Sequence, residues 1–363
     1  MDDQPFGHRI LSWAGQSADA DRFVALGGSR LAAEPDHAAL RRALDAAVAR
    51  HPVLGEGPVP LRLVDEVWSA AAAGRYPPDA PCLLWAYLAG RELLLVAHHS
   101  VADPWSMRLV LREVLGPGSE STSAHRGGTT THRPDRITRS LPFWQRLLTD
   151  VPALTPGTGG GTGTAELRAP SGITQERAAA VARSVPSTPF VVLLTAFARA
   201  LAPLSRGEAV VPVLTYGRRR SDWNSVGFHM NVLPVRLGTP TVDAVHRAFA
   251  EAYAHEIPFP SLLEAVPQAD ALFAAGGPSL AQFEVIQVPD HPGIEPLTIP
   301  AGLRLGGPVL PVNGLTFWLE PATGGHYTAC LRYHRSYRQT EMRALIERFI
   351  KRWEEIGVNP NRA

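Results

Sequence analysis

Cysteine and lysine are nearly missing from this chain of 363 residues, which has two cysteines, Cys82 and Cys330, and one lysine, Lys351. Two distant cysteines with no C-x-x-C exclude a disulfide framework and make a reduced cytoplasm the expected compartment. With so little lysine, any phosphate or pantetheine contact falls to arginine or to backbone N–H groups. Charge of one sign is also absent: the net charge is +1, which gives no bulk attraction to nucleic acid or to anionic lipid, and neither partner is expected. No apolar run approaches the roughly 20 residues that span a bilayer. The start, Met1-Asp2-Asp3-Gln4-Pro5, lacks the basic and apolar regions of a signal peptide, so a cytoplasmic protein, taken as a monomer, is expected. A serine-hydrolase elbow is missing, since there is no G-x-S-x-G. The glycine-rich run at 157–163 is not followed by Gly-Lys-Ser/Thr, so a phosphate loop is disfavoured. No second cluster of His, Cys or carboxylates has ligand spacing, so no metal is expected.

What is present centres on Ala97-His98-His99-Ser100-Val101-Ala102-Asp103-Pro104-Trp105-Ser106. The apolar run 92–97 before it has strand length and ends in a loop before Pro104. Neighbouring side chains on a strand point to opposite faces, so His98 and His99 cannot both enter one cavity, and one of them is structural. An imidazole titrates near neutrality and can take a proton from an incoming amine or alcohol while a carbonyl is attacked. The plain alternative for either histidine is a buried ring with its hydrogen bonds satisfied. Asp103 is placed to fix the loop by pairing with an arginine.

Periodicity organises the rest. A helix is expected from Asp36, its cap, to about Arg50, then a strand at 61–64 and a hairpin of 82–88 and 92–97 joined at Gly90. Gly27-Gly28 reads as a break, residues 107–115 as an amphipathic helix, and 116–138 as a mobile surface loop. A short helix begins at Phe143, and the Gly/Thr-rich run 156–164 reads as a flexible linker. It divides the chain into an N-terminal part, 1–155, and a C-terminal part, 165–363. The C-terminal part carries helices at 173–184, 190–204, 242–254 and 339–356, with strands at 209–215, 226–237 and 280–288 and a pair, 315–319 and 327–333, across Gly324-Gly325. Tyr216-Gly217-Arg218-Arg219-Arg220 reads as a solvated basic turn in preference to a binding patch. His229 and Asn231 lie among apolar residues and face either a cavity or a core hydrogen bond. The whole is α/β with mixed sheets in two halves.

In this order the chain resembles the condensation domains of nonribosomal peptide synthetases, within the wider chloramphenicol-acetyltransferase-like superfamily. Residues 97–106 look like the family's HHxxxDGWS motif. Arg50-His51-Pro52-Val53-Leu54 is similar to RHExLRT, and Phe143-Trp144-Gln145-Arg146 to a Y-W-type helix start. Residues 226–236 resemble GxFVNTxxxR, 255–262 resemble HQDYPFExL, and 280–286 resemble PLFQVMF. The resemblance implies two acetyltransferase-like subdomains in a V-shaped pseudo-dimer with a central tunnel. It makes His99 the residue that deprotonates or positions the nucleophile, with His98 and Asp103 structural. Ser106, His229, Asn231 and Gln282 become substrate-binding candidates. The co-substrate would be a phosphopantetheine thioester on an acyl or peptidyl carrier protein supplied in trans, or acyl-CoA, with no bound cofactor. Three departures stand out. Pro104 replaces the motif's glycine and loses an N–H; Gly55-Glu56 replaces Arg-Thr, leaving Arg50 and Arg236 as partners for Asp103; and His229 replaces an aromatic.

The function implied is a free-standing condensation-like acyltransferase that joins an acyl thioester to a small-molecule amine or alcohol in natural-product biosynthesis, such as antibiotic formation. Two alternatives remain open at this level. The tunnel is reused for cyclisation, dehydration or epimerisation, with His99 as base and His229 as acid, or the chain is a non-catalytic protein that docks a carrier.

Overall fold

The computed structural model describes residues 20–116, 122–123, 134–238, 240–273, 277–286, 295–297, 300 and 314–358. In chain order the elements are β1 (Val24–Arg30), α1 (His37–Arg50), β2 (Leu61–Leu63), α2 (Val67–Ala73), β3 (Leu84–Ala89), β4 (Glu92–His98), α3 (Pro104–Leu115), β5 (Thr122–Ser123) and α4 (Pro134–Leu147). There follow β6 (Thr164–Thr174), α5 (Gln175–Ser184), α6 (Pro189–Ser205), β7 (Ala209–Thr215), β8 (Ser225–Val226), β9 (Asn231–Leu237), α7 (Val242–Ala254), α8 (Phe259–Ala265) and α9 (Pro267–Phe273). The last are β10 (Ala281–Val285), β11 (Glu295–Pro296), β12 (Leu315–Pro321), β13 (His326–His334) and α10 (Gln339–Val358). They form two compact units, one from residues 1–131, 216–231 and 288–311, the other from 132–215, 232–287 and 312–363. The first division therefore falls ahead of the Gly/Thr-rich run. That run belongs to the second unit, where the Gly159 N–H donates to Ser336 O at 2.6 Å.

The first unit is built on a mixed sheet of order β11-β1-β4-β3-β2, with β4 antiparallel to both β1 and β3 and β2 parallel to β3. β4 is apolar on both faces because both faces are covered, as a continuous hydrophobic run requires. Leu93, Leu95 and Ala97 pack into one core with Leu44 of α1 and Met107 and Val110 of α3. Leu94 and Val96 pack into the other core with Trp68 and Ala71 of α2 and with Trp85 and Tyr87 of β3. The expected break at Gly27-Gly28 is instead the middle of β1. A Cβ at Gly27 would lie 3.0 Å from Met107 O and 3.2 Å from Met107 Cβ, so the missing side chain lets α3 approach the strand.

The second unit carries a mixed sheet of order β6-β13-β12-β10-β7-β9. One face packs under α6 and α10 through a group of rings. Phe197 stacks on Phe283 at 5.0 Å, and Phe317 meets Phe349 at 4.7 Å. The strand β6 is absent from the sequence reading, which starts a helix at Ile173. It is the sheet's edge, where Pro170 costs no ladder hydrogen bond, and Thr174 then caps α5 by accepting from Arg177 N–H at 3.1 Å. The helix expected from Phe143 begins earlier, at Pro134, so residues 134–138 are not loop. Residues 117–121 and 124–133 of the expected loop lie outside the described residues. Among the described residues no single helix is long and apolar enough to cross a membrane.

Candidate functional site

The double-histidine segment is fixed first by backbone. His98 closes β4, its N–H donating to Leu83 O at 3.0 Å, and His99 leaves the sheet with its N–H on Phe23 O at 2.8 Å. A turn brings Val101 N–H onto His98 O at 3.1 Å. Asp103 then caps α3, its Oδ1 accepting from Ser106 N–H at 2.7 Å. Pro104 occupies the first helical position, where a fixed φ suits the helix and the lost N–H has no intrahelical partner. The N–H that Pro104 lacks is one that no carbonyl inside the helix would accept.

The two imidazoles hold opposite tautomers. His99 Nδ1 lies 2.8 Å from Ala102 O, and a carbonyl only accepts, so Nδ1 carries the proton and Nε2 keeps its lone pair. His98 Nδ1 accepts from Ser100 N–H at 3.3 Å and meets Ser100 Oγ at 2.7 Å, which places its proton on Nε2. His98 is fully buried, whereas His99 retains 7% exposure. The His99 ring stacks on Phe23 at 4.7 Å, and Phe228 packs edge-on at 5.3 Å. Desolvation by these neighbours holds the His99 pKa below its ordinary value, against the opposing bond to Ala102 and the charge of Asp103. The ring is therefore an uncharged base at neutral pH, locked in orientation by one hydrogen bond and two rings.

Asp103 pairs with neither Arg50 nor Arg236. Arg50 bonds Glu113 on α3, and Arg236 bonds Glu208 at 2.9 Å and the carbonyls of Leu147 and Thr149. The partner is Arg218, in the basic turn read from sequence as solvated. Its Nη2 lies 2.8 Å from Asp103 Oδ1 and 3.1 Å from Oδ2, and both side chains are 0% exposed. The same guanidinium donates to Asp222 O at 2.7 Å, Ser225 O at 2.6 Å and Ser106 Oγ at 2.7 Å. Asp103 Oδ2 also accepts from His229 N–H at 3.0 Å. A planar fork with five donors is suited to collecting this many acceptors at once. Gly217 makes the approach possible. Its φ is 58°, and a Cβ there would fall 1.8 Å from His229 O.

Ser106 is part of the same network. Its hydroxyl donates to Gly227 O at 2.5 Å and accepts from Gly227 N–H at 3.0 Å and from Arg218. One proton and two lone pairs are then used, so Ser106 ties α3 to the 225–229 segment and has nothing left for a substrate. His229 joins the same network through its backbone. Its ring is buried, Nε2 meets Ser225 Oγ at 3.3 Å, and Nδ1 has no partner among the described residues. Burial, then the Arg218 charge, pushes its pKa down to about 4, so at neutral pH it is not the protonated acid that the alternative chemistry invokes. Asn231 is buried at the start of β9, and Gln282 is buried on β10 of the second unit. Trp105 donates to Trp223 O at 2.8 Å, with Arg108 stacked 4.9 Å from its ring.

The remaining motifs lock elements together. His51 Nε2 meets Glu113 Oε2 at 2.9 Å, tying the end of α1 to α3. In the second unit Phe143 stacks on His255 at 4.3 Å, and Trp144 Nε1 donates to His255 O at 2.8 Å. Arg218, Phe23 and Phe228 were not singled out from sequence; the one signal was Gly217 beside an arginine, at a strand's end.

No protein-family model matches the chain. In a match that covers 70% of the chain it is 32% identical to a probable non-canonical nonribosomal peptide synthetase, CymA, of Salinispora arenicola, and it spans only 4% of that protein's length. The structure is similar to that of the SgcC5 protein from Streptomyces globisporus, with TM-score 0.75 and 20% identity over 97% of this chain and 98% of that one. It is also similar to the condensation domain of the Monacolin K polyketide synthase MokA, with TM-score 0.72 and 17% identity over 98% and 97%. The ordered motifs, the two mixed sheets and these likenesses agree: the chain has the fold of the condensation domains of nonribosomal peptide synthetases.

Proposed function

We propose that the chain is a condensation-like acyltransferase that joins an acyl thioester, on a carrier protein or coenzyme A, to a small-molecule amine or alcohol in natural-product biosynthesis. The observation that carries this is His99: an uncharged imidazole with its proton fixed on Nδ1 by Ala102 O and a lone pair left on Nε2. In the step proposed, Nε2 accepts the N–H or O–H proton as the acceptor's nitrogen or oxygen bonds to the thioester carbon. The tetrahedral intermediate then expels the thiolate, which takes the proton back from Nε2. His99 acts as base or positions the nucleophile, while Asp103, Arg218 and Ser106 hold the segment that carries it. His98, locked to Ser100, is structural. His229, Asn231 and Gln282 are proposed near the bound substrates. The likeness to condensation domains supports the donor class, and SgcC5, solved with a naphthyl ethanediol, supports keeping an alcohol beside an amine as acceptor.

Product analysis tests this directly. The protein is mixed with acyl-loaded carriers or acyl-CoA and a panel of amines and alcohols and followed by mass spectrometry. A new amide or ester is expected; an isomer, or a mass lower by one water, would replace this proposal with the cyclising, dehydrating or epimerising alternative.

A further inference from the structure

The face of the second unit's sheet opposite the phenylalanine core is polar. On β6, β13 and β12 its charges satisfy one another. Arg168 bonds Glu166 at 2.9 Å and Glu320 at 2.7 Å, and Arg332 meets Glu166 at 3.2 Å and lies 5.7 Å from the Trp318 ring centre. On β10 the same face carries Gln282 and Glu284, two residues apart and so on one side of the strand. Thr316 and Trp318 of β12 pair with them in register. On the other flank Phe283 pairs with Val213 of β7, which brings the uncharged Pro212 and Leu214 alongside.

Gln282 is 1% exposed, yet neither its amide nitrogen nor its oxygen has a partner among the described residues. Buried polar groups are costly to leave unbonded, so an amide with donor and acceptor both open is a place to look for a bound molecule. Glu284 has no hydrogen bond or ion pair among the described residues, and burial alone pushes its carboxyl up to about 7. An indole, an open amide and an uncompensated carboxyl group thus lie together. One carboxylate and one amide are too few oxygens for a hard cation, which takes six or more. An anion is repelled. What complements the set is an ammonium with a polar neighbour.

We propose that Gln282 and Glu284 form a binding site for a small molecule bearing a protonated amine close to an amide or hydroxyl group. Glu284 pairs with the ammonium, and the Gln282 amide exchanges hydrogen bonds with the neighbouring polar group. Naming that molecule as a substrate rests on the acyltransferase proposal above; the site itself does not.

The test uses the full chain and three probes of one skeleton: 4-aminobutanamide, 4-hydroxybutanamide and succinamate, titrated by NMR. The cationic probe is expected to bind about tenfold or more tighter than the neutral one, as charge assistance gives, and succinamate least. Affinity for the cationic probe should rise as pH rises through about 7, because its ammonium favours the ionised carboxyl. The paired charges Glu166, Arg168, Glu320 and Arg332 do not face this change unpaired, and burial and Glu320 raise the Cys330 thiol well beyond it. Glu284→Gln should remove both the preference and the pH slope. Gln282→Leu should weaken binding of the cationic and the neutral probe alike while the melting temperature holds or rises, which shows that the fold is intact. Equal binding of the three probes, no binding of any, or a preference that survives Glu284→Gln overturns the proposal. His99→Ala should leave probe binding unchanged. Probe binding without any acyl transfer by the wild type would sink the acyltransferase proposal and leave this site standing.

Discussion

Replacing Arg218 by leucine should damage the first unit more than any other single change at the candidate site. The guanidinium and Asp103 are both fully buried, so the change leaves a carboxylate in the interior with only the N–H groups of Ser106 and His229 to hold it. It also strands the carbonyls of Asp222 and Ser225. Removing one partner of a buried pair costs about 3–5 kcal/mol. At about 2–4 °C per kcal/mol, the first unit should melt roughly 6–20 °C lower, read as a separate calorimetric transition. Adding Asp103→Asn, which keeps an acceptor for Ser106 N–H but removes the charge, should recover part of the loss. A penalty below about 1 kcal/mol, or a double variant no better than the single, would refute the claim that this pair holds the loop.

Three further outcomes follow from the same geometry. Gly217→Ala should cost several kcal/mol, on the order of a strained backbone plus a clash, because φ is 58° and the new Cβ meets His229 O; thermal melting reads it. Pro104→Gly, which restores the residue usual in the motif, should lower stability by about 0.4–1 kcal/mol through the unfolded chain and leave turnover unchanged, since Pro104 sits at the first helical position. The rate should fall on the acid side only below the ordinary histidine pKa, because the His99 base is uncharged in its active form and burial lowers its pKa; a pH–rate profile whose acid limb lies at or above the ordinary value would contradict that placement.

Much of this was legible in the sequence because it depends on short-range chemistry. Asp36 caps α1 through its own side chain, and the hairpin around Gly90 and the pairing of β12 with β13 follow from alternation and turns. Strand geometry keeps His98 and His99 from entering one cavity, and their rings make different hydrogen bonds. What escaped is long-range. Arg218 lies 115 residues from Asp103 and amid three arginines, a pattern that reads as solvent-exposed unless the partner carboxylate is known to be buried. Ser106 looked available because nothing local shows that Gly227 and Arg218 exhaust its hydroxyl. β6 was hidden by Pro170 and Gly172, which punctuate most strands but are tolerated on an edge.

The most direct test of the central claim is single-turnover acyl transfer by wild type and His99→Ala, followed by intact mass on acyl-loaded carriers with the amine and alcohol panel. Wild type should form the amide or ester, and the variant, shown by its melting transition to be folded, should be slower by about 10²-fold or more, the range for losing a general base. Turnover by His99→Ala at the wild-type rate would contradict it.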